Sequence, residues 1–445
     1  MLASLAIRLS DLTERVVPSA FAIALLLTFV TFLMAMGVAG APPARVLIEW
    51  GNGFWTLVPF AMQMALVVLT GYLVSTAPSV DRLFARVAAR TRSPRGAVVR
   101  MALVSMALAW FHWGLSLVGC AMFVRHVVRA EPRVDYRLLV CAAYFGMGAT
   151  WHAGLSASAP LLVATPGHFL EDTIGVIPVS ATIFSFFNLA LTAIVVTLLA
   201  ALAWTMHPAP ADARPVEPAI LDRLDRFEAP PAPARWTLAA RIDHGRWLTL
   251  ITAASGLAWV AWYFTAHGFQ LTLDVLNFTF LMLAILLHPS AASILAAAER
   301  GAGLLAGIVL QFPFYAGMYG VIQGTGLAQI LGDAIARIAT PGTLPLWLYW
   351  YSGLVNYFVP SGGSKWAIEA PYLVDAAARL GVPMPQVVLA YAWGDMATDI
   401  IQPFWALPLL AAARIDFRDI LGYAAVVFLA YNVVVSLGFW LLPLL

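Results

Sequence analysis

Along the chain, apolar runs of twenty or so residues recur, separated by short polar intervals. That is the length of helix needed to cross the hydrocarbon core of a bilayer, about 20 residues. Windows of about 19 residues place such runs near 18–38, 53–76, 138–164, 179–204, 247–265, 271–288, 303–324, 386–412 and 420–443. Strands of a membrane β-barrel are about 10 residues long and alternate in polarity, so the pattern predicts an all-α polytopic membrane protein with about nine transmembrane helices. Two further stretches, 96–130 and 344–378, are too long for one crossing and too short for two. A helix-breaking Pro360-Ser361-Gly362-Gly363 interrupts the second and His112-Trp113-Gly114 the first. Both read as re-entrant helical hairpins, a backbone tolerated at membrane depth only where it is buried in protein or lines a cavity. The competing reading is a pair of long tilted helices.

Arginines orient this arrangement. With nine crossings, two hairpins and the N-terminus inside, 21 of the 24 arginines fall on the cytoplasmic side; Arg45, Arg337 and Arg379 fall outside. This is the positive-inside bias, and it collapses if the hairpins are ordinary crossings. Residues 207–246, rich in Pro and Ala with mixed charge, read as a cytoplasmic linker. Leu2, Leu5, Leu9 and Leu12 predict a short interfacial helix over 1–15.

The sequence also resembles itself at an offset of 248. Thr31-Phe32-Leu33-Met34 meets Thr279-Phe280-Leu281-Met282, Gln63 meets Gln311, and Gly114 and Ser116 meet Gly362 and Ser364. Ala149-Thr150 meets Ala397-Thr398, and Pro160-Leu161-Leu162 meets Pro408-Leu409-Leu410. Two repeats are expected, 16–206 and 268–445, each with one hairpin (96–130, 344–378) followed by one broken helix (138–164, 386–412). The intervening crossing, 247–265, inverts the second relative to the first. Inverted repeats with discontinuous helices are the signature of secondary transporters, with the site near the midplane.

Composition narrows the classes. At 62% hydrophobic and 11% charged, the chain is far from the roughly one quarter charged of soluble domains. A net charge of +2, held beside membrane spans, gives no sign of nucleic-acid binding. Cys120 and Cys141 lie in apolar segments and imply neither a disulfide nor a zinc framework. The run from Val16 to Val38 is too long for the core of a secretory signal. No P-loop, metalloprotease motif or metal-spaced histidines occur, which argues against a primary pump or an intramembrane enzyme; a channel remains the other alternative.

The interrupted segments are the candidate site. Helix breaks expose amide N–H groups at one new terminus and carbonyls at the other. The first suits a carboxylate, the second a small cation such as Na⁺. Candidates for the substrate are Ser361, Gly362, Gly363, Ser364 and Lys365 at the second tip, His112, Gly114 and Ser116 at the first, and Ser156 and Ser158 in the first broken helix. Candidates for cation or proton coupling are Asn356, Asp395, Thr398, Asp399 and His152. Lys365 is the only lysine. It pairs either with a substrate carboxylate or with Glu369, one turn on. Trp113, Trp151, Trp366 and Trp405 are candidates to wall an acyl pocket.

The stretch Asn356-Tyr357-Phe358-Val359-Pro360-Ser361-Gly362-Gly363-Ser364-Lys365-Trp366-Ala367-Ile368-Glu369-Ala370-Pro371 resembles the short-chain fatty acid transporter family of acetoacetate operons. So do Pro160-Leu161-Leu162-Val163-Ala164-Thr165-Pro166-Gly167-His168 and Gln402-Pro403-Phe404-Trp405-Ala406-Leu407-Pro408. The similarity runs from about residue 12 to 443. It implies a bacterial inner-membrane carrier for short monocarboxylates such as acetoacetate or butyrate, in the wider ion transporter superfamily. It further implies a scaffold (18–38, 53–76, 247–288, 303–324), a mobile transport domain holding both hairpins, elevator movement and a homodimer. No cofactor is implied beyond Na⁺ or H⁺ as coupling ion. Asp399 stands where the family pattern usually has Asn, a departure that bears on the coupling. An exporter or a carrier of another small organic anion would have the same sequence features.

Overall fold

The computed structural model describes residues 20–221, 224, 231 and 233–442. The expected interfacial helix over 1–15 lies outside them, as does part of the 207–246 linker. Among the described residues every regular element is a helix. Six helices are long and apolar enough to cross a membrane, and Phe21–Gly37 and Leu273–Leu287 are shorter apolar ones.

The first half contains α1 (Ala20–Gly37), α2 (Pro43–Gly53), α3 (Val58–Thr76), α4 (Pro78–Ala88), α5 (Pro94–Phe111), α6 (Trp113–Ala130), α7 (Tyr136–Ala149), α8 (Ser158–Leu162) and α9 (Phe186–Thr205). After the linker, α10 (Arg246–His267) leads into α11 (Leu273–Leu287), α12 (Ala291–Gly301), α13 (Ala306–Gly324), α14 (Leu327–Ile338), α15 (Leu344–Phe358), α16 (Gly362–Leu380), α17 (Met384–Asp399), α18 (Leu407–Ala413) and α19 (Phe417–Leu441). The chain sets these starts locally. Proline occupies the first turn of α2, α4, α5 and α17, where its missing N–H costs nothing. Ser93, Asp135, Ser185 and Thr272 cap α5, α7, α9 and α11 through their side-chain oxygens.

Both expected hairpins are interrupted where the sequence breaks. His112 alone, extended at φ −164° and ψ 106°, separates α5 from α6, and its ring accepts the Leu115 amide. Val359, Pro360 and Ser361 separate α15 from α16. α7 stops at Ala149, passes through a 3₁₀ turn at Trp151–Ala153 and resumes as α8; α17 stops at Asp399 and resumes as α18.

Helix boundaries recur at the offset found in the sequence. α2 and α12 begin and end 248 residues apart, as do α3 and α13. The packing recurs too: α5 lies on α7 and α15 on α17, α3 on α6 and α13 on α16, α4 on α6 and α14 on α16. α1 packs on α13 of the other half, and α11 on α3. Gly146 and Gly394 mark one shared contact, where a Cβ would strike the Ser105 and Tyr349 carbonyls. The halves differ in their hairpins. α5 and α6 pack along one another, whereas α15 and α16 touch at few points.

Among the described residues, four helices of 11 or 12 residues were not expected. α2, α4, α12 and α14 carry apolar residues on one face and charges on the other, such as Phe84 inside and Arg82 and Arg86 outside in α4. At 11 or 12 residues they fall below the 19-residue window that finds spans, and their polar face dilutes it.

Candidate functional site

Both helix breaks and both hairpin turns converge on one buried centre. At the second tip, Gly362 and Gly363 open α16. A Cβ on Gly362 would sit 2.7 Å from His152 and Trp151 and 2.8 Å from Asp395; one on Gly363 would sit 2.6 Å from the Phe60 ring. Glycine is required by that close approach, since φ is not positive at either position. The Tyr391 hydroxyl donates to the Gly362 carbonyl at 2.6 Å, and the Trp405 indole donates to Pro360 O at 2.9 Å, so the turn is held from both sides.

A cavity of about 30 Å³ lies against this turn. Ser361, Gly362, Gly363, Ser158, Trp113, Trp151 and Trp405 line it together with Met64, Met147, Ile308 and Phe312. It has room for only a couple of water molecules, so a larger guest enters only if a tip moves. Four of its walls escaped the sequence reading. Met64 and Phe312 are 248 residues apart and each follows one of the matched glutamines, Gln63 and Gln311, so the self-comparison held the signal that could have found them.

Behind the tip is a charge network. Lys365 Nζ is 3.2 Å from Asp395 Oδ1 and 3.7 Å from Glu369 Oε2. It donates to the Ser352 carbonyl at 2.9 Å and hydroxyl at 2.5 Å, and lies 4.1 Å from the Tyr391 ring centroid. Both sequence alternatives for this lysine therefore left out its nearest carboxylate, which lies on the next helix, α17. His152 Nε2 accepts the Ala159 amide at 3.2 Å, which assigns the ring proton to Nδ1, 2.8 Å from Asp395 Oδ2. Asp399 accepts from Asn356 Nδ2 at 2.9 Å and from the Trp151 indole at 3.1 Å. Thr398 accepts from Asn356 and donates to the Gly353 carbonyl. The five coupling candidates fall in two adjoining clusters, His152 with Asp395 and Asn356 with Thr398 and Asp399, joined through the stacked rings of Trp151 and His152, and all are buried.

The remaining candidates are placed differently. Ser364 accepts from Ser361 at 2.9 Å beside the cavity. Ser156 accepts the Trp113 amide and Ser116 donates to the Ser105 carbonyl, so both tie backbone together. His112 caps α6, and its other nitrogen lies 3.4 Å from Thr70. Gly114 packs against the Val67 carbonyl. Trp366 is fully buried against Tyr391, away from the cavity that the other three tryptophans line.

Comparison with known proteins bears on this centre. The family described as "Short chain fatty acid transporter" matches residues 1–442. A protein of Escherichia coli (strain K12), provisionally named a short-chain fatty acid transporter, is 36% identical over 431 residues, 96% of each chain. One of the same provisional name from Haemophilus influenzae is 33% identical over 440 residues, 97% of this chain and 98% of its own. Among solved structures, the YdaH transporter of Alcanivorax borkumensis superposes with a TM-score of 0.59 at 17% identity, over 96% of this chain and 97% of its own. Neisseria gonorrhoeae MtrF, described as illuminating a class of antimetabolite efflux pumps, gives 0.60 at 14%, over 98% and 97%. At those identities the likeness is one of fold alone, an all-helical membrane architecture. Matched across its length by the family and by two relatives above 30% identity, the chain belongs to the short-chain fatty acid transporter family.

Proposed function

We propose that this protein is a secondary active carrier of short monocarboxylates such as acetoacetate or butyrate, working by Na⁺- or H⁺-coupled symport. The observation that carries this reading is the convergence of both tips and both broken helices on one small, aromatic-walled cavity. The first amides of α16, at Gly362 and Gly363, stand at the end of a helix whose dipole favours an anion. Lys365 lies one turn behind them. Trp113, Trp405, Met64 and Phe312 leave little length for an acyl tail, which favours short acids over long ones.

The recurrence of helix boundaries and packing at 248 residues supports two inverted repeats, 16–206 and 268–445, joined through the 247–265 crossing. The helices that carry the site would move as a transport domain against α1, α3, α10, α11 and α13 in an elevator stroke. The protein would sit in the inner membrane with its N-terminus cytoplasmic, as a homodimer.

Binding tests the site directly. Saturable binding of labelled butyrate to the purified protein, weakened as the chain is lengthened and lost in Gly363→Leu, is expected. Equal binding of butyrate and decanoate would contradict the placement of the acyl tail.

A further inference from the structure

The three carboxyl groups of the buried centre are unequally served by donors. Asp399 receives Asn356 and Trp151 on its two oxygens, whereas Asp395 receives His152 on Oδ2 and has the Lys365 ammonium 3.2 Å from Oδ1 without a hydrogen bond. Neither oxygen of Glu369 has a hydrogen-bond partner, although the side chain is only 2% exposed. Lys365 offers three N–H bonds. The Ser352 carbonyl and hydroxyl take two of them, and the ammonium stands closer to Asp395, at 3.2 Å, than to Glu369, at 3.7 Å.

Glu369 also borders a second cavity, of about 480 Å³, which lies between the separated arms α15 and α16. α1, α13 and α14 contribute no titratable side chain to its lining. From α15 and α16 come Lys365 and two tyrosines, Tyr351 and Tyr372, whose hydroxyls are bonded to each other at 2.8 Å. From α17, Asp395 and Tyr391 reach the far side of Lys365. One lysine cannot balance three carboxylates in a medium where isolated charge is costly. A proton on either oxygen of Asp399 or on Asp395 Oδ2 would meet an existing donor, and Asp395 Oδ1 lies nearest the lysine charge; on either oxygen of Glu369 a proton meets no donor.

Within the carrier reading above, on which this rests, we propose that Glu369 is a proton-binding site that couples transport to H⁺. Its carboxylate takes a proton from water on one side of the membrane. It returns that proton to water on the other side when Lys365 shifts toward it and pairs with the carboxylate.

Two measurements test this. Difference infrared spectroscopy of the full chain in nanodiscs reads protonated carboxyls without any transport. At neutral pH a carboxyl C=O band is expected in the wild type and in Asp399→Asn, and it should vanish in Glu369→Gln. Absence of the band from the wild type, or its full persistence in Glu369→Gln, would overturn the assignment. In proteoliposomes, measured against protein-free vesicles, Glu369→Gln should keep butyrate exchange and lose uptake driven by a pH gradient. Retained gradient-driven uptake would also overturn it. A wild type that exchanges no short acid would instead remove the carrier reading, and the infrared band would still decide whether Glu369 holds a proton.

Discussion

The Trp151 indole donates a 3.1 Å hydrogen bond to Asp399, and the two residues are 248 positions apart. That separation is the one at which helix boundaries recur, so two corresponding positions of the two halves touch one another. Each lies where its helix breaks, Trp151 just after α7 and Asp399 at the end of α17. The bond therefore ties the two breaks together at the centre of the molecule.

Asp399→Asn tests that junction. The aspartate accepts from Trp151 on one oxygen and from Asn356 on the other, while an asparagine has one acceptor and one donor. One of the two donors must then face an N–H₂ group, at a cost of about 1–3 kcal/mol. Thermal unfolding in detergent should show a lowered midpoint, with Trp151→Phe added to Asp399→Asn costing less than it does alone. Fully additive losses would mean that the indole and the carboxyl act independently.

Removing the lysine charge should be worse. Lys365→Met leaves Asp395 without its cation, and breaking a buried pair typically costs about 3–5 kcal/mol. Adding Asp395→Asn should recover part of this loss, with a coupling of about 0.5–3 kcal/mol. No recovery in the double variant would show that the 3.2 Å approach of Lys365 to Asp395 contributes nothing to stability.

Close packing at the second tip predicts a steric effect. In Gly362→Ala the new Cβ meets the rings of His152 and Trp151 and the Asp395 carboxylate below 3.0 Å, an overpacking cost of about 1–3 kcal/mol. The variant should reach the membrane yet bind butyrate poorly. Gly303→Ala, where a Cβ meets nothing, should behave as wild type. Unimpaired binding in Gly362→Ala would place the substrate elsewhere.

Thiol labelling separates the cavity from its supports. Ser361→Cys, on the cavity wall and partly exposed, should react with a small thiol reagent and be protected by butyrate. Ser116→Cys, 1% exposed and facing Ser105, should stay unreactive. The native Cys120 and Cys141 are both buried and add little background. Labelling of both positions, or protection of neither, would argue against this map.

Much of the fold was legible because it follows from local chemistry. Pro360 falls between α15 and α16 and the following glycines open α16, as the helix-breaking stretch predicts. The 248-residue register showed through Gln63, Gln311 and the two tip glycines. The amphipathic α2, α4, α12 and α14 did not, because a short helix with one charged face leaves no apolar run. The site was half legible. Rare polar residues in apolar segments pointed to His152, Asn356, Lys365, Asp395 and Asp399. Who pairs with whom was hidden, since Lys365 meets Asp395 across separate helices and Asp399 meets Trp151 from the other half. Ser116 and Ser156, hydroxyls in broken segments, bond backbone groups.

The most direct test of the central claim is accumulation of labelled butyrate and acetoacetate in proteoliposomes under an imposed Na⁺ or pH gradient, corrected for protein-free vesicles. A short-monocarboxylate symporter predicts saturable uptake above the equilibrium level that collapses when the gradient is dissipated and is abolished in Lys365→Met. No accumulation of either acid under either gradient, from protein shown to be folded, would contradict it.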